Sequence, residues 1–309
     1  MASDTPAKGG VGAYIRLARP QQWAKSGFVL LGPLYHLTTV EGAVVETARS
    51  FVMPGLAAAL AFALASSACY AVNDILDAPR DREHPKKRLR PIASGAVSVP
   101  GALVFAILLY AASLLCLLLV AQEHRLYTLL GLVAYVGNVN IYSLALKHRV
   151  IADVIGLSLG FVIRVVGGCL AVGITPSTWL LNATLFLAMF LAFGKRLGER
   201  RTMGEDAPKT RKVQARYTDD TLRMAVVATA VIALFSYASY TAQKDAGEAF
   251  GTFNLLWLTV LPATYGMMRC FVLVESGEYD DPTDLAIKDR GFQLAGLVFV
   301  LLSVLAFGL

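Results

Sequence analysis

The chain is poor in charge and in the residues that build metal or disulfide frameworks. Only 16% of its 309 residues are charged, which is well below the share found in ordinary soluble domains. It has four histidines and four cysteines, but no CxxC and no Cys/His cluster, so neither a zinc site nor a disulfide framework is implied. Its basic residues stand between long apolar segments and are not interleaved with aromatics. The net charge of +6 therefore does not indicate a nucleic acid as the partner.

The chain is rich in apolar sequence instead. Hydrophobic residues make up 56% of it, and the mean hydropathy is +0.58, which is typical of an integral membrane protein. A helix needs about twenty apolar residues to cross the bilayer core. We therefore predict an all-α fold with nine transmembrane helices, at residues 26–46, 51–73, 100–121, 125–146, 151–172, 177–195, 223–242, 251–273 and 291–309. Residues 1–13 are predicted to form a disordered tail, and residues 14–309 a single catalytic domain.

Lysine and arginine are distributed unequally between the two sides of the predicted membrane. One side carries all but four of the 28, and the exceptions are Arg49, Arg125, Lys244 and the intramembrane Arg164. Basic loops stay on the cytoplasmic side. The pattern predicts a plasma (inner) membrane protein with a cytoplasmic N-terminus and an external C-terminus. The polar segments gather on the basic side, so the active face is predicted to be cytoplasmic.

An acidic cluster and a basic cluster follow one another at the end of the second predicted span. The stretch NDILDAPRDREHPKKRLRPIASG begins at Asn73 and contains Asp74, Asp77 and Asp81. Asn73 and Asp77 are one helical turn apart on one face. Pro79 is predicted to bend the chain near Asp77, so that Asp81 joins the cluster through the bend. Hard oxygen ligands at a helix end suit Mg²⁺, which takes one or two carboxylates together with substrate phosphates. We predict that Asn73, Asp77 and Asp81 are catalytic metal ligands and that Asp74 binds substrate.

The basic residues that follow have two interpretations. Arg82, Lys86 and Arg88 are predicted to supply the remaining countercharge to substrate phosphates. Basic runs beside membrane helices are more often topology determinants or contacts to phospholipid headgroups. That alternative suffices for Arg82 and Lys87 taken singly. It does not explain the acids and amide that precede them.

Polar residues near other span ends are further candidates for substrate binding. Their simpler roles are those of an interfacial helix, an aromatic anchor and topology. The set comprises Gln22 and Lys25 before span one, Tyr142 and Lys147 at the end of span four, and Lys195 and Arg196 at the end of span six.

Span five carries charge inside the membrane. Asp153, Gly156, Gly160 and Arg164 are spaced by three, four and four residues, so they share one helix face. Small residues allow close helix approach, and an intramembrane charge usually has a function. We predict that Asp153 and Arg164 serve substrate binding, with Arg164 lining a cavity or paired with a carboxylate. Simple structural pairing of Arg164 is the alternative.

With these residues in view, the chain resembles the UbiA superfamily of intramembrane prenyltransferases. Asn73, Asp74, Asp77 and Asp81 match its NDxxDxxxD motif. The longer stretch around them, with RPQQWAK before span one and YSLALK after span four, looks like the decaprenyl-phosphate phosphoribosyltransferase branch. One departure stands out, because the family carries a second aspartate-rich motif after helix six. This chain has KRLGERR there, with Glu199 as the only acid.

The resemblance implies transfer of 5-phosphoribose from phosphoribosyl pyrophosphate to a polyprenyl (decaprenyl) phosphate, with Mg²⁺, for arabinan cell-wall precursor synthesis. A rival is a prenyltransferase with a prenyl diphosphate donor and an aromatic acceptor, which predicts the missing second motif. A transporter or lipid-binding protein is the rival from another class. The loop at residues 275–290 is interpreted either as a lid or as a surface loop. Glycine-rich faces on spans five and eight suit a homo-oligomer or intramolecular packing equally well.

Overall fold

The computed structural model describes residues 9–37, 51–83, 87–203, 212–243, 254–279, 285 and 288–307. Every regular element within those ranges is helical. The α-helices are α1 (Val11–Ala18), α2 (Leu31–Leu37), α3 (Met53–Glu83), α4 (Val99–Cys116), α5 (Gln122–Leu144), α6 (Ala152–Ala171), α7 (Thr178–Met203), α8 (Asp219–Gln243), α9 (Val260–Glu275) and α10 (Arg290–Phe307). The 3₁₀ segments are Pro20–Leu30, Lys87–Leu89, Leu117–Leu119, Leu146–His148, Lys212–Arg216 and Leu255–Thr259. Because α1 begins at Val11, the end of the predicted disordered tail is helical.

Seven segments in the described part of the chain are long and apolar enough to cross a membrane. They are Met53–Glu83, Val99–Leu119, Gln122–His148, Ala152–Ala171, Thr178–Thr202, Asp219–Gln243 and Leu255–Glu275. These match predicted spans two to eight, so the predicted all-α integral membrane fold is confirmed. Arg290–Ala306 is a shorter apolar helix at the place of predicted span nine. Residues 38–46 of predicted span one lie outside the described residues, and the total of nine stays a prediction.

Large apolar side chains cover the outer faces of these helices. On α4, Ile107, Leu108 and Leu115 are 58%, 60% and 63% exposed. A continuous apolar surface of this kind is unfavourable in water, whereas hydrocarbon tails are a matching solvent for it. The exposed side chains therefore indicate contact with lipid along the spans.

The chain divides into two compact units, and α6 contributes to both. Unit 1 comprises Met1–Ser143 and Ile163–Pro176. Much of its interior is formed by α3, whose alanine and serine residues allow neighbouring helices to approach closely. Phe62, Leu132 and Tyr135 pack in this core.

Two glycines of α6 permit the tight packing inside unit 1. A Cβ at Gly168 would lie 1.7 Å from the carbonyl oxygen of Val29, and one at Gly167 would lie 2.4 Å from the Phe62 ring. Both distances are far shorter than van der Waals contact, so any larger residue is excluded there. Glycine therefore lets the second half of α6 pack directly on α3 and on the segment Pro20–Leu30.

Unit 2 comprises Leu144–Val162 and Ser177–Leu309. Its core draws Phe190 and Leu197 from α7, Leu222 from α8 and Val274 from α9. Each unit thus has a buried apolar core of its own. The single catalytic domain predicted over residues 14–309 remains a prediction.

Candidate functional site

The acidic motif lies on the last turns of α3. This helix continues through Pro79 to Glu83. Asp81 therefore shares α3 with Asn73 and Asp77, and helical spacing brings it to the cluster, whereas the sequence predicted that a bend near Asp77 would do so. A proline costs a helix one backbone hydrogen bond and one steric adjustment, and here the flanking Ala78 and Asp81 are buried against the rest of unit 1. Packing therefore keeps the chain helical. The three predicted metal ligands follow one another at intervals of four residues on one face.

The acids of the motif differ in burial. Asp74 is 3% exposed and Asp81 is 4% exposed, whereas Asn73 and Asp77 are half-buried. An ionised carboxylate with so little contact to water needs a cation or several hydrogen bonds. Both buried acids have arginine partners from other segments of unit 1.

Arg19 is the first of these partners. Its Nη2 donates to both carboxylate oxygens of Asp74, at 2.7 and 2.9 Å. Its guanidinium also lies over the Tyr70 ring, 4.9 Å from the ring centroid, at a distance that allows a cation–π contact. Arg19 separates α1 from the segment Pro20–Leu30 and has a positive φ of 52°. The ion pair thereby fixes the entry to that segment on α3.

Arg90 is the second partner, and it serves two acids. Its Nη1 donates to Asp81 Oδ2 at 2.7 Å and to Asp74 Oδ1 at 3.3 Å. Asp74 and Asp81 are seven residues apart, or two turns of α3. The Arg90 guanidinium thus contacts acids near both ends of the motif. Neither Arg19 nor Arg90 is among the residues that the sequence predicts for the site.

The predicted residues Gln22 and Lys25 lie in the segment Pro20–Leu30 and are half-buried. Trp23 between them donates from Nε1 to Ser67 Oγ at 2.9 Å, and Ser67 in turn donates to the Ala18 carbonyl at 2.6 Å. Ser67 is six residues before Asn73 on α3. The segment is therefore attached by hydrogen bonds to the helix that carries the motif.

The other predicted residues of unit 1 differ in exposure. Arg82 and Arg88 are exposed, and Tyr142 near the end of α5 is half-buried. Lys86 lies outside the described residues. Exposed arginines at a helix end are suited to anions and to lipid headgroups alike. Both interpretations of the basic run therefore stand.

Arg164 is buried in unit 1, with 4% exposure. Its Nη2 donates to the Tyr135 hydroxyl at 2.6 Å, and its guanidinium lies 4.4 Å from the centroid of the same ring. Tyr135 packs on Phe62 in the unit 1 core. Tyrosine thus provides Arg164 with a hydrogen bond and a cation–π contact. The substrate-binding role predicted for Arg164 remains a prediction.

A separate charged cluster is enclosed in unit 2. Arg196 Nε donates to Asp153 Oδ2 at 2.9 Å, and Arg196 Nη2 donates to the same oxygen. Arg196 Nη1 donates to the Ala192 carbonyl at 2.7 Å. Both charged residues are 1% exposed. The pair joins α6 to α7 within unit 2, and its groups are already engaged with one another.

Tyr217 completes this cluster. Its hydroxyl donates to Asp153 Oδ1 at 3.0 Å and accepts from the Ile151 backbone N–H at 2.7 Å. Burial raises the pKa of Tyr217 to about 12, so the hydroxyl keeps its proton at neutral pH. Ile151 has a positive φ of 66°, which is unusual for a β-branched residue. The tyrosine therefore holds a strained turn in place.

The sequence KRLGERR at the end of α7 is also engaged in ion pairs inside unit 2. Arg200 donates to Asp219 at 2.6 Å, and Arg201 contacts Glu275 at 2.6 Å. Glu199 accepts from Gln214 Nε2 at 2.7 Å. Lys195 and Lys147 are half-buried. Acids of α8 and α9 therefore neutralise Arg200 and Arg201, whereas the two residues predicted to meet an anion are Lys195 and Arg196.

The residues of the motif suit a divalent ion by their chemistry. Within the described ranges no three His, Cys, Asp or Glu side chains are grouped so as to hold a metal. Asn73, Asp77 and Asp81 offer one amide and two carboxylates. Mg²⁺ takes one or two carboxylates and completes its shell with water and substrate phosphate. These three side chains therefore suit Mg²⁺, and the Asp81 carboxylate is also bound by Arg90.

These features define a multi-pass, all-helical membrane protein whose acidic motif ends a central helix. A model of the UbiA prenyltransferase family matches residues 37–288. The chain belongs to this family. The predicted resemblance is therefore confirmed.

Two relatives cover nearly the whole chain. Decaprenyl-phosphate phosphoribosyltransferase from Mycolicibacterium smegmatis is 31% identical over 301 residues, covering 96% of this chain and 92% of the relative. The enzyme of the same name from Mycobacterium tuberculosis is 31% identical over 293 residues, covering 94% and 92%.

Solved structures show the same fold. A UbiA homologue from Archaeoglobus fulgidus bound to GPP and Mg²⁺ superimposes with a TM-score of 0.66, covering 96% of this chain and 100% of that one. Sequence identity is 16%, so this likeness bears on the fold alone. It supports the predicted UbiA-like helical bundle.

Proposed function

We propose that the chain transfers the 5-phosphoribosyl group of phosphoribosyl pyrophosphate to a polyprenyl phosphate such as decaprenyl phosphate and releases diphosphate. The product would serve arabinan cell-wall precursor synthesis. The observation that carries the proposal is the interleaving of acids and arginines at the end of α3, where Arg90 bridges Asp74 and Asp81. A divalent ion and a diphosphate need such a mixture of anionic and cationic groups. Membership of the family and the two full-length relatives support the same reaction.

Asn73, Asp77 and Asp81 would hold Mg²⁺. When bound, this ion neutralises the charge that the diphosphate gains as it leaves. The chain's own contribution is to present these oxygens in register on one helix face and to surround them with cations. Gln22 and Lys25 lie on the segment attached to α3 and would contact the donor.

Further cations would contact phosphate oxygens of the donor or of the lipid. We assign this role to the basic residues predicted from the sequence, which are Arg82, Lys86, Arg88, Lys147 and Lys195, and we propose Tyr142 as an uncharged substrate contact. For Asp153 and Arg196 the buried pair in unit 2 favours a structural role over direct contact with substrate. We therefore propose them as positioning residues, and we include Arg164 with them because its guanidinium lies on Tyr135.

The bond changes need no strong base from the protein. An oxygen of the lipid phosphate attacks C1 of the ribose as the bond from C1 to the diphosphate oxygen breaks, and the configuration at C1 inverts. The attacking oxygen of a phosphate monoester is ionised at neutral pH. The chain's residues accordingly bind and orient two anions, and they stabilise the positive character that develops at C1.

This chemistry would take place at the cytoplasmic face of the plasma membrane. The N-terminus would lie inside the cell and the C-terminus outside. The polyprenyl tail would enter from the bilayer between helices. Single cysteines introduced at Arg88 and at Arg125, in a variant without the native cysteines, should react with an impermeant maleimide from opposite sides. Labelling of both from the same side of intact cells would contradict the orientation.

The direct test is transfer of label from phosphoribosyl pyrophosphate to decaprenyl phosphate by the purified chain in detergent, resolved by thin-layer chromatography. We expect a labelled lipid product that requires Mg²⁺ and is lost in excess EDTA. Product formation that persists in EDTA would contradict the metal assignment. Failure of every phosphorylated polyprenol to accept label would contradict the reaction.

The rival reaction uses a prenyl diphosphate and an aromatic acceptor. It is favoured by the match to the UbiA prenyltransferase family. The same preparation should be supplied with geranyl diphosphate and 4-hydroxybenzoate. We expect no prenylated aromatic, because the rival predicts a second aspartate-rich motif where α7 ends in KRLGERR, and Glu199 is the only acid of that stretch. Formation of the aromatic product without phosphoribosyl transfer would establish the rival.

A further inference from the structure

Arg90 holds the same carboxylate that the proposed reaction gives to the metal. Its Nη1 is 2.7 Å from Asp81 Oδ2 and 3.3 Å from Asp74 Oδ1. A guanidinium and a divalent cation at one carboxylate repel one another, and low-dielectric surroundings strengthen that repulsion. The two cations therefore compete for Asp81.

The two acids depend on Arg90 to different degrees. Asp74 is also bound by Arg19 through both of its oxygens, at 2.7 and 2.9 Å. Within the described residues, the ion pair of Asp81 is the one with Arg90. Departure of the Arg90 side chain would thus leave Asp74 neutralised and would make Asp81 available. The arrangement selects which acid is released.

The geometry of Arg90 suits such an exchange. Both of its side-chain hydrogen bonds within the described residues come from Nη1. The edge formed by Nε and Nη2, which is the edge that binds phosphate in a bidentate manner, is not used in them. Its side chain is 30% exposed, so it can rotate without opening the core. Two hydrogen bonds hold the Arg90 backbone in a turn. The Arg90 N–H donates to the Lys87 carbonyl, and the Ser94 N–H donates to the Arg90 carbonyl.

We propose that Arg90 is an exchangeable cation, which neutralises Asp81 until the metal arrives and then binds the diphosphate of the donor. This inference rests on the proposed function and adds a substrate-binding residue to it. It explains how an acidic motif can be buried at the end of α3 and still accept a metal. It also couples the two ligands, because diphosphate gives Arg90 a new partner and so strengthens metal binding, and the reverse holds by linkage.

The test measures binding and not turnover. Mn²⁺ would be titrated into the full chain in detergent and followed by electron paramagnetic resonance, with and without inorganic diphosphate. Arg90→Gln should bind Mn²⁺ alone about tenfold more tightly, since the competing cation is gone. The same variant should bind diphosphate at saturating Mn²⁺ about tenfold more weakly, since a charged hydrogen-bond donor is gone.

Two controls separate the exchange from a general loss of charge. Arg16→Gln removes one exposed positive charge from α1 and should leave both affinities within about twofold of the wild type. Arg19→Gln removes the other partner of Asp74 and should not tighten Mn²⁺ binding, because Arg90 still holds Asp81. Should Arg90→Gln fail to fold, Arg90→Lys keeps the charge without the fork and should show the same two signs with smaller changes.

The outcomes distinguish the inference from the function on which it rests. Equal Mn²⁺ binding by the wild type and by Asp77→Asn would overturn the metal site of the proposed function. Loss of Mn²⁺ binding in Asp77→Asn, with both affinities unchanged in Arg90→Gln and Arg90→Lys, would overturn the exchange alone. Weaker Mn²⁺ binding in Arg90→Gln would identify Arg90 as a structural clamp.

Discussion

Two carboxylate and arginine clusters in this protein use buried charge in opposite ways. In unit 2, Asp153 is enclosed with Arg196 and Tyr217, and both charged residues are 1% exposed. In unit 1, Asp74 and Asp81 are nearly as buried, yet their shared partner Arg90 is 30% exposed. The first cluster has no member at the surface, whereas the second has a cation that can leave. The charges of the unit 2 cluster hold helices together, whereas those of the unit 1 cluster are available to a ligand.

Breaking the enclosed pair should have the largest effect on stability. Arg196→Met leaves the Asp153 carboxylate buried without its cation, which costs about 3–5 kcal/mol. We expect a steep loss of folded protein, measured by thermal unfolding in detergent.

The matched control removes both charges together. Asp153→Leu with Arg196→Met should recover much of the lost stability, since an apolar pair of similar volume is often as stable as the ion pair. A single Arg196→Met variant that is stable but binds phosphoribosyl pyrophosphate poorly would instead support the direct phosphate contact predicted from the sequence.

Changing the acidic motif of unit 1 should affect turnover more than folding. Asp77→Asn removes a proposed metal ligand at a half-buried position, and we expect phosphoribosyl transfer to fall by at least about 100-fold. The melting temperature should stay close to that of the wild type. Asp220→Asn, an exposed acid of α8, is the control and should keep its activity. Near-normal transfer by Asp77→Asn would remove this residue from the site.

Removing the Tyr217 hydroxyl should destabilise the enclosed cluster less than removing Arg196. Tyr217→Phe removes the donor to Asp153 and the acceptor for the Ile151 N–H, and leaving such groups unsatisfied costs about 1–3 kcal/mol. We expect lower stability with an unchanged KM for the donor. A raised KM at unchanged stability would show that the cluster contacts substrate.

The smallest expected effect is on pH dependence at Asp289, just before α10. The Arg269 guanidinium and the Phe292 N–H lower the pKa of Asp289 to about 2. Because the folded pKa lies below the ordinary value near 3.9, the stabilisation by Asp289 is complete above about pH 4 and disappears as the pH falls towards 2.

This dependence can be measured by comparing Asp289→Asn with the wild type between pH 6 and pH 3. The difference in melting temperature should be constant near pH 6, should shrink below about pH 4, and should decrease in high salt. A difference that grows on acidification would contradict the sign of the shift.

The sequence predicts what depends on nearby residues. Apolar length predicts spans two to eight, and four-residue spacing places Asn73 and Asp77 on one face of α3. The same local reasoning does not predict that α3 continues beyond Pro79 to Glu83, because the packing that buries Ala78 and Asp81 involves distant segments.

Partners from distant segments could not be predicted in this way. Arg19 and Asp74 are 55 residues apart, and Arg196 and Asp153 are 43 apart. Polarity and position at span ends mark Asp74, Asp153 and Arg196 as candidates for the site. They do not tell which cation meets which acid, so a residue that fixes a helix and one available to a ligand look alike until the chain is folded.

The sharing of α6 between the two units has a consequence for biosynthesis. Unit 1 includes residues 163–176, although it otherwise ends at residue 143. A nascent chain must therefore emerge from the ribosome up to residue 176 before unit 1 can finish folding. Chains usually fold from the N-terminus onward. Insertion of α6 by the translocation machinery is then the event that completes unit 1 and begins unit 2.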